Sequence, residues 1–393
     1  MKKTILCLAS LLTMGVLASC GGTTPSDNLK FGLMTLHDSN STYDKNFIDG
    51  FNAACKAKGV TAVVKSGVEE DATFLTAADE MIEDGCKMLF ADSFGHESFL
   101  LEAAKQNPDV QFYHATGTLA HTANVANFHD AFASIYEGRY LAGIAAGMKL
   151  KAMKEADAKV ASKIGYVGAW PYAEVKSGYT SFYLGVKSIV EDVTMDVTFT
   201  NSWYDEVKEK SSAEALIAGG AVLISQHADS WGAPTACEEK GVPNVTYNGS
   251  TESKCPNTYL ISSRINWQPY FEHCIDQYRA GKNVETDFTG TMDDGSVELA
   301  DLGKKCAVEG TAEAIEAAKA KLKDGSLKVF DCSKFTVEGK HLTSYKADVN
   351  TDEAFTPDTE VIKTEGGITY FAESEFRSAP YFDIDIDGIN ILK

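Results

Sequence analysis

From Lys30 onward, short apolar runs alternate with stretches of helical period, and this alternation constrains the fold more than any other feature. KFGLMTL, TAVVKS, KMLFAD, VQFYHAT, KIGYVG, VTFTN, AVLISQ, NVTYN and TYLISS read as strands. Between them, NFIDGFNAACKAKG places Phe47, Phe51, Ala54 and Cys55 on one helical stripe closed by Gly59. TAADEMIEDG and AEALIAGG also end in glycine, as helix C-termini commonly do. SIYEGRYLAGIAAGMKL carries small residues suited to close packing against a neighbour. Such alternation predicts an α/β fold with parallel sheets covered by helices. At 393 residues the chain exceeds one ordinary core, so two Rossmann-like lobes are expected. In open sheets of this kind, ligands sit beyond the carboxyl ends of the strands.

Several strand ends open into polar or aromatic clusters: HDSNSTY, ADSFGH, NSWYDE and SQHADSW. If they face one crevice, it holds Asp38, Tyr43, Ser93, Phe94, Trp203, Asp205, His227 and Asp229. Asp and Ser at such places equally well cap the next helix. Trp203 and Trp231 have little capping use and a large face to bury. The stretch VLISQHADSW, from Val222 to Trp231, could by composition serve a metal, a base or a small ligand. A zinc site would need further ligands that the spacing does not supply. The eight histidines are scattered, and no P-loop, G-x-S-x-G or H-E-x-x-H occurs. No catalytic residue, metal site or cofactor is therefore expected. The alternating Asp383, Asp385 and Asp387 lack the terminal glutamate of an EF-hand loop and read as the outer face of an edge strand.

The first residues form a leader: Lys2 and Lys3, a short apolar core, then Leu17-Ala18-Ser19-Cys20, which resembles a bacterial lipobox. The resemblance implies a signal peptide over 1–19, lipidation of Cys20 and an anchor in the cell envelope, with 20–29 as a tether. Whether the membrane is inner or outer is left open. The net charge is −20, and two units more negative once Lys2 and Lys3 are removed. Nucleic acid is thereby disfavoured as a partner. Seven cysteines follow Cys20. Cys237 with Cys255 and Cys306 with Cys332 are the close-in-sequence pairings, and a reducing niche would leave all seven as thiols.

Four ordered segments carry a wider likeness: DSFGHESFLLEAAKQNPDVQFYHATG, IYEGRYLAGIAAG, IGYVGAWPYAEVKSGYTSFYLGVKSI and TNSWYDEVKEKSSAEALIAGGAVLISQHADS. They resemble the basic membrane lipoprotein family, the purine- and nucleoside-binding lipoproteins of ABC transporters with the type I periplasmic binding fold. The likeness runs from about Phe31 to Gly281. It implies a monomeric receptor whose partners are a purine-type ligand, a permease and its ATPase. It also implies a ring held between two aromatics, which fall on Tyr43 and Trp203, with Phe47 as a rival better suited to the core. Asp229, Asn127, the Asp38 loop, Phe94 and Trp170 occupy matching regions. So does Asn248, where YNGSTES replaces the family's acidic pair with Asn248 and Ser250. Arg264 stands where the nucleoside branch has a lysine, which shifts the expectation towards a free base. A riboflavin receptor of the same family, a ligand sensor coupled to signalling and a nucleoside-processing envelope enzyme are the alternatives. The expected division is 30–128 with about 263–300 for lobe 1, and 129–262 with about 301–393 for lobe 2. Hinge crossings are expected near Phe128, near Ser262 and beyond residue 300.

Overall fold

The computed structural model describes residues 28–349 and 357–393. The leader, Cys20 and most of the tether lie outside the described residues, so the expected lipidation site does too. Among the described residues no helix is long and apolar enough to cross a membrane.

The chain opens with β1 (Lys30–Thr35), β2 (Thr61–Ser66), β3 (Cys86–Ala91), β4 (Gln111–His114) and β5 (Phe128–Ala133). They alternate with α1 (Thr42–Lys58), α2 (Thr73–Glu83), α3 (Glu97–Gln106) and a single turn, α4 (Ala120–Ala123). A second body follows, with α5 (Ile135–Ala156), β6 (Lys163–Gly168), α6 (Ala173–Lys187), β7 (Thr194–Phe199) and α7 (Glu206–Ala218). It continues through β8 (Ile224–His227), α8 (Gly232–Lys240), β9 (Asn244–Tyr247) and β10 (Tyr259–Ile265). The chain returns to the first body as α9 (Gln268–Arg279) and β11 (Asp287–Gly290), then re-enters the second as β12 (Val297–Leu299) and α10 (Thr311–Lys323). The C-terminal segment carries two small hairpin-like ladders, β13 (Lys346–Ala347) with β14 (Thr359–Glu360) and β15 (Ile362–Glu365) with β16 (Ile368–Phe371). It ends in β17 (Ile389–Ile391).

The two large sheets have the orders β11-β5-β4-β3-β1-β2 and β12-β10-β9-β8-β6-β7-β17. Within them only β12, against β10, runs antiparallel. All nine expected strands form, and the α/β class stands. Three strands of the large sheets, β5, β11 and β12, were not foreseen. FHDAFA hides β5 because His129 and Asp130 interrupt its apolar run. Their partners come from other segments: His129 Nδ1 lies 3.0 Å from the Glu285 carbonyl, and Asp130 Oδ2 accepts from the Ala120 amide at 2.9 Å. Because β5 belongs to the first sheet and β12 to the second, the sheet-to-sheet crossings fall at Ser134, at Asn266 and over 291–296.

Helices α5 and α6 pack as the small residues of the first foretell. A β-carbon on Gly143 would lie 2.2 Å from the Phe182 carbonyl oxygen, and one on Gly185 2.1 Å from that of Tyr140. Only glycine allows this approach. The segment after Phe330 completes the core of the second body, with Phe330 stacked on Phe382 at 4.3 Å. The edge strand expected at the terminus is confined to β17, beside β7. Asp383, Asp385 and Asp387 precede it and are exposed, as expected, but each carboxylate accepts from protein donors: Tyr345, Tyr179 and Thr336, respectively. All seven described cysteines are buried free thiols, so neither close-in-sequence pair is a disulfide.

Glu373 is buried under this segment with Oε1 unpartnered. Burial pushes its carboxyl up to about 8. A folded-state value above the unfolded one means that the neutral form suits the fold, and stability is lost as pH rises towards the folded value. Glu373→Gln is therefore expected to melt progressively higher than the wild type as pH rises from about 5 to about 9. Melting curves at three pH values test this, and a constant difference would contradict it.

Candidate functional site

The carboxyl ends of both sheets face each other across a narrow cavity of about 20 Å³. The first body contributes Leu36 and His37 after β1, Tyr43 and Asp44 from α1, Ser93 and Phe94 after β3, and Thr116 after β4. The second contributes Glu174 from the first turn of α6, Trp203 after β7, His227 at the end of β8, and Asp229. The rims already touch. The Asp229 carbonyl accepts from the Thr42 amide at 2.9 Å and from its hydroxyl at 3.1 Å. Phe94 and Tyr172 meet across the rim with centroids 5.5 Å apart.

Local chemistry fixes each wall. Ser41 caps α1 and accepts from the Asp44 amide at 3.2 Å. Asp44 takes the Ser41 hydroxyl in return, and the His37 amide at 2.7 Å. The Asp44 hydrogen bond raises the His37 imidazole above its usual range. Tyr43 donates its hydroxyl to the Asp92 carbonyl at 2.8 Å, which anchors the ring at the cavity wall. Asp92 beneath it is buried, and burial with Asp44 nearby holds its carboxyl well above the carboxylate range.

The VLISQHADSW stretch divides its work. Gln226 donates to the carbonyls of Ala228 at 2.9 Å and Ser230 at 3.2 Å, which shapes the turn. Glu209, buried, accepts the Ser230 amide and secures the turn to α7. His227 meets the Glu174 carboxylate at 3.3 Å and packs on Tyr247 at 4.5 Å, and burial lowers its pKa, so it is neutral. Asp229 is aimed at the cavity with no hydrogen bond to its carboxyl from any described residue. Burial, then Asp44, Glu209 and Glu174, push that carboxyl well above its ordinary value.

Of the residues singled out in the sequence, Tyr43, Ser93, Phe94, Trp203, His227 and Asp229 share the cavity wall. Trp170 stands outside it, stacked on Tyr172 at 5.9 Å in an outer groove that also reaches Phe94 and Trp203. Asn127 is elsewhere: at the amino end of β5, its amide donates to the carbonyls of Ala104, Asn107 and Val110. Asp38 is exposed and accepts from the Asn40 amide at 2.9 Å, a turn role. Asn248 is buried at φ +67° and does not line the cavity. Asp205 caps α7, and Arg264 pairs with Glu298 at 2.6 Å on the second sheet. Phe47 is core, stacked on Trp267 at 4.4 Å. Leu36, His37, Asp44, Thr116 and Glu174 were missed. Leu36, His37 and Thr116 follow strand ends closely and Asp44 and Glu174 lie in the first turns of the next helices, where the carboxyl-end rule points but spacing alone does not choose.

The lining includes Asp44, Glu174 and Asp229 but neither lysine nor arginine. Such walls accept hydrogen bonds and repel phosphate.

Residues 34–329 match the family model described as ABC transporter substrate-binding protein PnrA-like. A purine-binding protein of Brucella abortus (strain 2308) is 32% identical over 63% of this chain and 66% of its own length. A Haloferax volcanii protein, provisionally named as an ABC transporter glucose-binding protein, is 29% identical over 64% of this chain and 61% of its own. The chain thus spans just under two thirds of these two relatives. An ABC transporter nucleoside-binding protein of Lactococcus lactis subsp. cremoris is 25% identical over 84% of this chain and 99% of its own length. A solved ABC transporter solute-binding protein from Aeropyrum pernix K1 shares the fold with a TM-score of 0.66 at 17% identity, covering 80% of this chain and 94% of that one. This chain belongs to the family of PnrA-like ABC transporter substrate-binding proteins.

Proposed function

We propose that the protein is an envelope receptor, monomeric and held to a membrane by lipidated Cys20, that closes on a purine base or purine nucleoside and delivers it to an ABC permease. One observation carries this reading: a cavity between two parallel-sheet bodies, with Tyr43 from one and Trp203 from the other on its wall, and carboxyl groups without lysine or arginine around it. A flat, uncharged heterocycle is bound best by stacking, with a few polar groups reading its edge. Purine N–H groups and ribose hydroxyls are donors, which suits Asp229 and Glu174. Closure is a hinge motion about Ser134, Asn266 and 291–296 that buries the ligand from water. The Brucella and Lactococcus relatives, named for purine and nucleoside binding, support the ligand class.

The outer groove with Trp170 and Tyr172 favours a second reading, a longer ring system such as riboflavin. Calorimetry of ligand-stripped protein against adenine, guanosine, inosine, riboflavin and D-glucose separates these. Binding of a purine is expected. Binding of none, or of glucose alone, would overturn the ligand class. Trp203→Ala is expected to weaken purine binding at least about tenfold, since one stacked face contributes ~1–3 kcal/mol. An unchanged constant would remove the aromatic sandwich.

A further inference from the structure

Away from the cavity's carboxylates, a second group of side chains converges inside the first body. Glu97 at the start of α3, His114 at the end of β4 and Asp130 in β5 present ligand atoms that all lie within 4.8 Å of one another. All three residues are buried. Two of the atoms, His114 Nδ1 and Asp130 Oδ1, have no hydrogen-bond partner.

The tautomer of His114 makes this arrangement informative. Its Nε2 lies 2.8 Å from the Ser93 carbonyl oxygen, which can only accept, so Nε2 carries the hydrogen. The neutral ring then turns the bare lone pair of Nδ1 towards two carboxylate oxygens. No donor from another described residue reaches His114 Nδ1 or Asp130 Oδ1, so a shared carboxyl proton or a cation has to lie between them. A buried group left without either costs free energy, and a bound cation relieves it. A ring N–H held by a backbone carbonyl, with the other nitrogen free, is the usual arrangement of a metal-ligating histidine.

Gly117 marks where the three atoms point. A β-carbon there would lie 2.2 Å from Asp130 Oδ1, 2.5 Å from His114 Nδ1 and 2.7 Å from Glu97 Oε1. A side chain at 117 would thus collide with all three groups, so only glycine can close this side of the cluster. The carboxylates are held in place from outside the cluster. Glu97 Oε1 accepts from the amides of Thr118 and Leu119, and Asp130 Oδ2 accepts from the Ala120 amide. Asp287 stands alongside with Oδ1 unpartnered, its Oδ2 taken by His121 at 2.7 Å and by the Ser378 amide at 2.7 Å. Arg377 is the cation nearby, its guanidinium donating to the carbonyls of Ala379 and Pro380.

We propose that Glu97, His114 and Asp130 bind one divalent first-row metal ion, Zn²⁺ in the first instance. One imidazole with two carboxylates suits such an ion better than Mg²⁺ or Ca²⁺, which take oxygen ligands alone. The ion would fasten the loop between β4 and α4. That loop also places Thr116 on the cavity wall, so metal loading would stiffen one side of the ligand site.

The test is Zn²⁺ binding to the purified full chain after stripping with EDTA. One equivalent per chain is expected, together with a higher melting temperature. His114→Gln keeps an amide donor for the Ser93 carbonyl and is expected to bind Zn²⁺ at least about 100-fold more weakly, with its EDTA-state melting unchanged. X-ray absorption at the zinc edge of the wild type should show nitrogen and oxygen ligands including one imidazole, which decides the matter even if the variant does not fold. No bound equivalent, undiminished binding by His114→Gln, or sulfur ligands drawn from the buried cysteines would overturn the site.

Discussion

Replacing Asp229 with alanine is expected to weaken purine binding about 100-fold while leaving the closed arrangement intact. The loss follows from an unpaired carboxyl at the cavity edge, where a ligand donor would form a charge-assisted hydrogen bond of ~1.5–3 kcal/mol. The latch to α1 survives because it uses the Asp229 backbone carbonyl. Stability should move the other way. The carboxyl is held well above its ordinary value by burial, so its ionised form is a cost that grows as pH rises through the unfolded value of about 4. Asp229→Asn is therefore expected to melt higher than the wild type at pH 7 and yet bind less tightly. Calorimetry and a melting curve on the same two variants check both halves. Undiminished affinity would remove Asp229 from the site.

Arg139→Ala is expected to cost about 2–5 kcal/mol of folding stability, from the cavity it opens and the buried acceptors it leaves unpaired. Arg139 lies in α5 and is fully buried. No described carboxylate pairs with it. Its guanidinium instead donates to the Thr246 carbonyl at 3.1 Å, Tyr166 hydroxyl at 3.0 Å and Ser225 hydroxyl at 2.7 Å. It lies over the rings of Tyr166, Phe182 and Tyr247 at 5.3–5.6 Å. The residue thus ties β6, β8 and β9 together beneath the turn that carries Asp229. Urea unfolding of the variant measures the loss. Undiminished stability would mean that desolvating the guanidinium costs as much as its bonds return.

Strand and helix were legible wherever burial imposed a period. β1, β3, β4 and β6 to β10 announce themselves as apolar runs because both faces of a parallel sheet are covered, whereas the edge strand β2, with no buried residue, shows only its Val63-Val64 pair. β5 did not, since His129 and Asp130 are polar in sequence and find their hydrogen bonds in Glu285, Gln111 and Ala120, which only the fold brings near. The C-terminal contribution to the core was also hidden: Phe330, Phe371 and Phe382 meet from loop-rich chain without any period. At the cavity, tryptophan and tyrosine at strand ends stood out because capping does not explain them. Among the acids no such contrast exists. Asp38 and Asp44 share a loop and its helix, and only the folded backbone turns one outward and the other to the wall. Asn127 failed for a simpler reason: it lies before β5, at the end of the sheet away from the cleft.

The most direct measurement is a crystal structure of the full chain grown with the purine that calorimetry selects. Planar density is expected between the rings of Tyr43 and Trp203, with a donor edge turned to Asp229. A ligand seated in the outer groove, or anywhere that leaves those two rings facing only each other or solvent, would contradict the account.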